Sequence, residues 1–394
     1  MIMMLLIGGL SCMNQKKDEG DKDASSEDSD LKRIVSDSTN KKRDTKNSSE
    51  EKGIGEKRPG STADNAENKK ESSQNDYPVR KNINSKILKV KPVIYSTRSS
   101  TILYDNYLVQ IETWSDTLFQ VFKLPDCKYI GGFGKKGRGP KELPFHDAYG
   151  AACYENGVIV YDVYKGFVFI DLTNFESDKN ITIQKKIKLP EELMLLNSIF
   201  LLNDSIIIGS NNTQDKMRFK YKYTRYNIHS DKIDYFGQYP DHYPESRKKL
   251  YPFIYGTKTV VKPDETKFAS FCWQVKMFRI YSSDGTIEKE VFLKKQKDFF
   301  DGQWIRKNAV KYYTCVRATN EYLYALCQDE HSHDLSGSNP TLEIWDWKGN
   351  PIAFLKMDQS ICSFDVTDDN SKVYASSFND MDKIFVYETD RIMP

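Results

Sequence analysis

The sequence predicts an all-β protein, a six-bladed β-propeller whose ring is closed by an N-terminal strand on the last blade. Three observations predict it. A strand-and-turn unit recurs six times over residues 83–394. Phe, Trp and Tyr make up 13% of the chain, with Tyr 24 and Phe 21, and such residues favour the pleated, half-buried surface of a strand. Helical periodicity is nearly absent, with Glu191 to Asn197 as one short candidate.

The chain opens on an apolar, uncharged run from Met1 to Leu10, and the small residues Gly8, Gly9 and Ser11 lead up to Cys12. The run is too short to span a bilayer and reads as the apolar part of an export signal. The junction Gly9-Leu10-Ser11-Cys12 resembles the lipobox of bacterial lipoproteins. It differs at Gly9, where Leu is commoner, and in having no Lys or Arg ahead of the apolar run. The resemblance implies a signal peptide at 1–11, a lipid on Cys12 and a place in the bacterial cell envelope as an outer-membrane lipoprotein. Gln15-Lys16-Lys17-Asp18-Glu19 is similar to the Lys-plus-acidic signal that sends some Bacteroidetes lipoproteins to the cell surface.

Residues 12–82 are expected to form a disordered charged tether. Between Cys12 and Tyr77 the large apolar residues after Met13 are Leu31, Ile34, Val35 and Ile54. So little burial does not offset the entropy of ordering. A flexible coil of that length spans about 40–50 Å on average.

From residue 83 each unit begins with a turn rich in Asn, Asp or Gly. Asp105-Asn106 precedes Tyr107 to Thr113, followed by Leu118 to Leu124 and, after Pro125-Asp126, Lys128 to Phe133. Asn156-Gly157 precedes Val158 to Val163, and Lys165-Gly166 leads into Phe167 to Leu172. Asn203-Asp204 precedes Ile206 to Gly209, then Lys220 to Ile228. Asp264-Glu265 precedes Phe268 to Cys272, with Val275 to Tyr281 and Thr286 to Leu293 following. Asn320-Glu321 precedes Tyr322 to Cys327, with Leu342 to Trp347 and Ile352 to Met357 after it. Asp369-Asn370 precedes Val373 to Phe378, then Ile384 to Glu388. The first strand residues 107, 158, 206, 268, 322 and 373 are spaced by 51, 48, 62, 54 and 51, close to the length of a four-stranded blade. The last unit has no room for a fourth strand before Pro394. Residues 86–95 form a strand-like run that can supply it, which closes the ring and covers an open edge. The competing architectures are a pair of β-sandwiches and a large β-barrel.

Phe133-Gly134-Lys135-Lys136-Gly137-Arg138-Gly139-Pro140-Lys141-Glu142-Leu143 resembles a glycine-rich stretch that follows the first blade in the TolB-like six-bladed propeller lipoproteins of Bacteroidetes. Lys141 stands where Gly is common in that family. The resemblance implies architecture and location, and it implies no chemistry.

Lys+Arg 58 against Asp+Glu 56 leaves a formal net charge of +2, which argues against a nucleic-acid partner. The body cysteines are widely spaced with no CxxC, so they read as buried small hydrophobes and no structural zinc is expected. Gly134 to Pro140 lacks the Gly-Lys-Ser/Thr of a phosphate loop and reads as an inter-blade turn. Asp329-Glu330-His331-Ser332-His333-Asp334 is a His/acid cluster, read as an exposed loop. No Gly-x-Ser-x-Gly and no His-Glu-x-x-His is present.

In a propeller, the connections between blades share a face with the loops between second and third strands. That face is expected to collect Lys135, Lys136, Arg138, Lys141, His146, Arg247, Lys248, Lys249, Lys294, Lys295, Lys297, Arg306 and Lys307, with Tyr251 and Trp304 among them. A basic rim studded with aromatics suits a protein or glycan partner. The expected function is therefore a lipid-anchored binding or scaffold module without a cofactor or a metal. The alternative is a metal-assisted hydrolase, lyase or lactonase in the central channel, with Asp147, Asp162 and Asp365 as residues to inspect for convergence.

Overall fold

The computed structural model describes residues 77–392, apart from 95–98, 114, 138, 140–141, 144–150, 163–165, 179–180, 195, 212–219, 295–299, 302–303, 306–308, 332–334 and 391. The expected signal peptide, the lipid site at Cys12 and residues 12–76 of the tether lie outside the described residues. No helix among the described residues is long and apolar enough to cross a membrane.

Two strands come first, β1 (Val79–Ile83) and β2 (Lys86–Lys89). Blade 1 holds β3 (Ser99–Tyr104), β4 (Tyr107–Glu112), β5 (Thr117–Lys123) and β6 (Lys128–Lys136), extended by the short β7 (Glu142–Leu143). Blade 2 holds β8 (Ala152–Tyr154), β9 (Gly157–Asp162), β10 (Gly166–Asp171) and β11 (Thr182–Ile187). Blade 3 holds β12 (Asn197–Asn203), β13 (Ile206–Ser210), β14 (Tyr223–Asn227) and β15 (Lys232–Phe236). Blade 4 holds β16 (Thr257–Val261), β17 (Lys267–Cys272), β18 (Lys276–Ser282) and β19 (Ile287–Lys294). A two-stranded ribbon, β20 (Phe300–Asp301) and β21 (Trp304–Ile305), precedes blade 5. Blade 5 holds β22 (Val310–Ala318), β23 (Tyr322–His331), β24 (Thr341–Asp346) and β25 (Pro351–Met357). Blade 6 holds β26 (Ile361–Val366), β27 (Lys372–Ser377) and β28 (Lys383–Glu388). The helical elements include α1 (Phe175–Asp178), α2 (Tyr251–Ile254) and the 3-10 turns Glu191–Leu193 and Glu245–Leu250.

The six sheets stand in a ring and form a six-bladed propeller. The strand sequence expected to open each unit is the second strand of its blade. The innermost strands β3, β8, β12, β16, β22 and β26 precede these, and neighbours from β12 through β16, β22, β26 and β3 to β8 touch around the axis. The last blade is completed as expected: β2 pairs antiparallel with β28, Lys86 opposite Val386 and Lys89 opposite Lys383.

One strand was not foreseen. β1 pairs parallel with β25, Val79 opposite Ala353 and Ile83 opposite Met357, and adds a fifth strand to blade 5. The expected tether ran to residue 82, yet Tyr77 is buried and Val79 to Asn82 pair with β25. A short charged strand such as Val-Arg-Lys-Asn-Ile carries too little apolar pattern to be distinguished from linker by sequence. Its order comes from backbone pairing and from two anchoring side chains.

Burial explains the strand sequences. Blades pack face to face, so their middle strands are covered on both sides and read as continuous apolar runs rather than alternating ones. β5 is buried from Leu118 to Phe122 and β18 from Lys276 to Tyr281, while outer strands such as β11 and β19 are mostly exposed. Each junction between neighbouring blades has its own apolar cluster among the described residues, from Val109 and Val168 between blades 1 and 2 to Phe122 and Tyr374 between blades 6 and 1. Turn chemistry supplies the corners. Asp264, Asp284, Asp346 and Asp369 each accept the N–H two residues on through a side-chain oxygen, at 3.0, 2.9, 2.9 and 3.0 Å.

Candidate binding face and channel mouth

Antiparallel order within a blade puts the loop between its second and third strands at the same end as the connection to the next blade. The described rim residues occupy such connections, but they do not act as one set. Lys135 is exposed and lies 3.5 Å from Glu142. Lys136 donates to the carbonyl of Thr113 at 3.0 Å. Lys248 pairs with Glu245 on the 3-10 turn, and Arg247 beside it is half-buried. Tyr251 departs from its expected role. It is 6% exposed, and its hydroxyl donates to the carbonyl of Tyr243 at 2.7 Å. It packs with Ile254, Tyr255, Val275 and Met277 as part of an aromatic cap, because α2 turns its apolar side onto blade 4. Arg138, His146 and Arg306 lie outside the described residues, as does the side chain of Trp304.

The described part of the glycine-rich stretch runs along the end of β6 and leaves it at Gly137, whose N–H donates to the Leu143 carbonyl at 3.2 Å. Gly134 has φ +75°, and a Cβ there would approach the Phe119 ring to 2.7 Å. Glu142 Oε2 accepts the N–H of Gly139 at 3.0 Å, and a Cβ on Gly137 would collide with the same carboxylate. The glycines and the glutamate of this motif therefore fold around each other, and the carboxylate serves the turn.

At the channel mouth between blades 4 and 5 stands a group that sequence reading passed over. Trp273 follows β17; its N–H donates to the carbonyl of Gly256 at 3.1 Å, and its own carbonyl accepts the N–H of Tyr312 at 2.9 Å. One residue thus joins the entrances of the two inner strands β16 and β22. Gly256 is required there, since a Cβ would run into the indole Nε1. Lys311, at the start of β22, holds its ammonium 3.8 Å from the centroid of the Trp273 ring. Burial, and then the like charge of Lys258 on β16, push the Lys311 pKa down to about 8.

The channel wall holds a second polar group. Asp365 on β26 accepts the N–H of Leu103 at 2.7 Å, and Ser363 accepts the N–H of Thr101 at 2.9 Å. Arg317 on β22 lies 3.5 Å from Asp365 and donates to Ser100 Oγ at 2.9 Å and to the Thr101 carbonyl at 2.8 Å. The inner edge of β3 is satisfied by these side chains, so Asp365 serves the junction of blades 5, 6 and 1. Burial raises its pKa, with Arg317 opposing. Asp162 is buried at the end of β9, and Asp147 lies outside the described residues. No group of three or more His, Cys, Asp or Glu among the described residues is placed to hold a metal ion.

A third charged group is internal. Lys276 Nζ and Glu343 Oε1 stand 2.8 Å apart, and Glu343 is fully buried. The other carboxylate oxygen accepts the hydroxyls of Tyr77 at 3.0 Å and Tyr313 at 2.9 Å. The pair is a charge contact braced by two phenols, and it fastens the segment ahead of β1 into the wall between blades 4 and 5.

A depression of about 660 Å³ lies on the side wall between β6 and β11 and is lined by Gly134, Lys135, Ile181, Ile183, Gln184, Lys185 and Lys186. It is away from the mouth.

Fold and site together define a six-bladed propeller with a cationic, tryptophan-floored mouth. The chain matches the TolB-like 6-blade propeller-like family over residues 79–369 and belongs to that family. Among solved structures it is similar to a DUF4221 family member from Bacteroides vulgatus, at 10% identity and TM-score 0.53, covering 77% of this chain and 95% of that one. It also resembles an exported-protein candidate from Bacteroides fragilis, at 11% identity and TM-score 0.48, covering 78% of this chain and 98% of that one. A search of curated proteins returned no match.

Proposed function

We propose that this protein is a lipid-anchored module of the bacterial cell envelope that presents the loop face of its propeller to a protein or glycan partner. The observation that carries the reading is the mouth of that face. Lys311 and Trp273 meet there from two blades, and the Trp273 backbone is bonded to both. Aromatic and cationic groups brought together on one face are the usual material of a binding hot spot. The junction ending in Cys12 supports anchoring. A lipid there would hold the propeller near a membrane surface, and a flexible segment would let it turn.

Two experiments test the reading. Cys12→Ser should move the protein from the membrane fraction to the soluble one; unchanged fractionation would remove the anchor. In-cell crosslinking and an envelope-glycan screen should both be run with wild type and with Trp273→Ala. Capture of a partner that the substitution weakens supports docking at the mouth. Capture by neither method, or capture indifferent to the substitution, rejects it.

A further inference from the structure

We infer that the outer edge of blade 2 is a docking site for an extended acidic segment of a partner protein, which adds to β11 as a fifth strand. The site lies on the side wall of the ring and does not depend on docking at the mouth.

The chain itself already uses two outer edges of the ring in this way. β1 lies parallel on β25 in blade 5, and β7 lies parallel on β6 in blade 1. β11 has β10 on one side and no strand on the other among the described residues. Such an edge offers a row of N–H and C=O groups to a further strand. Thr182, Gln184, Lys185 and Lys186 are exposed along it.

The two sides of this edge differ. The depression of about 660 Å³ lies towards blade 1, and a second of about 390 Å³ lies towards blade 3; Gln184 and Lys185 line both. A bulge at Gln184 sets Ile183 opposite Ile170 and Lys186 opposite Val168 on the blade 1 side, and Lys185 opposite Phe169 on the blade 3 side. The blade 1 side is lined by Lys135 and Lys186 around Ile183. Lys135 has Glu142 3.5 Å away. Neither Lys185 nor Lys186 is paired with a carboxylate among the described residues, and the residues opposite them in register are uncharged. The blade 3 side is walled by the Tyr154 and Phe169 rings, 4.7 Å between centroids, with Glu155 and Asp204 beside them.

Successive side chains of a strand point to opposite faces. A strand laid on β11 therefore sets every other residue against the lysines and the rest against the aromatic wall. Charge complementarity makes the first set acidic. The second set is apolar or aromatic, because Glu155 and Asp204 repel further carboxylates. Lysines along an edge turn away neutral and basic strands, so the residues that protect β11 also select an acidic one.

The test uses the full chain and a dye-labelled, end-blocked peptide that alternates aspartate with valine and phenylalanine, followed by fluorescence anisotropy. Saturable binding is expected. A peptide of the same composition with its aspartates gathered at one end should bind about tenfold more weakly or worse, because the alternation is lost. Methylating backbone nitrogens separates strand addition from simple charge attraction, since alternate N–H groups of an added strand face its neighbour. Methyls on one alternate set should abolish binding, and methyls on the other should leave it within about twofold. Lys186→Glu should weaken binding about tenfold, as an attraction becomes a repulsion. Lys289→Gln, exposed on the outer strand of blade 4, should leave it within about twofold, as for a distant surface charge. The absence of saturable binding overturns the inference. Equal effects of the two methylated sets, or indifference to Lys186→Glu, overturn it as well.

Discussion

At the scale of single residues, the buried carboxylates are the sensitive points. Glu343 is inside the wall of the ring with Lys276, and two phenols complete its surroundings. Tyr77→Phe removes one donor from a buried charge, at an expected cost of about 1–3 kcal/mol in a urea unfolding experiment. Tyr313→Phe should behave alike, and the double variant should cost more than the sum, because the carboxylate then keeps only its contact with Lys276. Glu290 on β19 shows the other case. Burial pushes its pKa up, but the hydrogen bond with His242 at 3.0 Å and the charge of Arg279 outweigh burial and bring it from 4.5 to about 2. A depressed carboxylate contributes stability that is complete above its ordinary value and lost as pH falls through the folded one. Unfolding midpoints should therefore drop between pH 4.5 and about 2. Glu290→Gln should flatten that part of the profile, and an unaltered slope would show that the pair contributes nothing.

At the scale of elements, the two N-terminal strands do different work. β2 completes blade 6, so the ring depends on it. β1 adds to the outside of an already four-stranded blade. A chain beginning at Asn84 loses the buried side chains of Tyr77 and Ile83. It should still unfold in one cooperative step, with about 3–6 kcal/mol less stability for two large buried groups. A chain beginning at Tyr95 also loses β2 and should give no cooperative transition, because blade 6 then has a bare edge and the last blade is no longer tied to the first. Circular dichroism through a denaturant series separates the two outcomes. If both truncations behave alike, the closure does not lie in β2.

At the scale of the whole molecule, the inner strands are held by side chains across the axis as well as by sheet bonds. Arg317 reaches from blade 5 to Asp365 in blade 6 and to Ser100 in blade 1. Arg317→Met should cost about 2–4 kcal/mol, since it leaves the Asp365 charge without its counter-ion. Pairing it with Asp365→Asn should recover part of that loss, because the asparagine brings no charge to be left alone. A double variant no more stable than Arg317→Met would show that the two residues are not coupled.

Much of the ring was legible from the order of residues. Asp and Asn turns recur at blade length, and middle strands read as unbroken apolar runs because both faces are covered. The missing strand after Glu388 and the spare one at residues 86–95 called for each other. The innermost strands were harder to see, since β8 is only three residues long and β26 mixes Ser and Asp with its apolar side chains. The rim fared less well. Basic loop residues could be assigned to one face by topology, yet Tyr251 turned inward to cap blade 4, and Lys136 bonded to its own blade. No sequence pattern marked Lys258, Trp273 and Lys311, although Gly256 is a trace of their packing that only makes sense once Trp273 lies against it.

The amino-acid sequence by itself determined the number of blades, the turns between their strands and the way the ring closes, because these follow from local turn chemistry and from how many faces of a strand are covered. Only the tertiary structure decided which polar groups meet. Contacts between one blade and the next join residues far apart in the chain, and whether a lysine finds a carboxylate, as Lys276 does, or an indole, as Lys311 does, depends on how neighbouring sheets are set against each other.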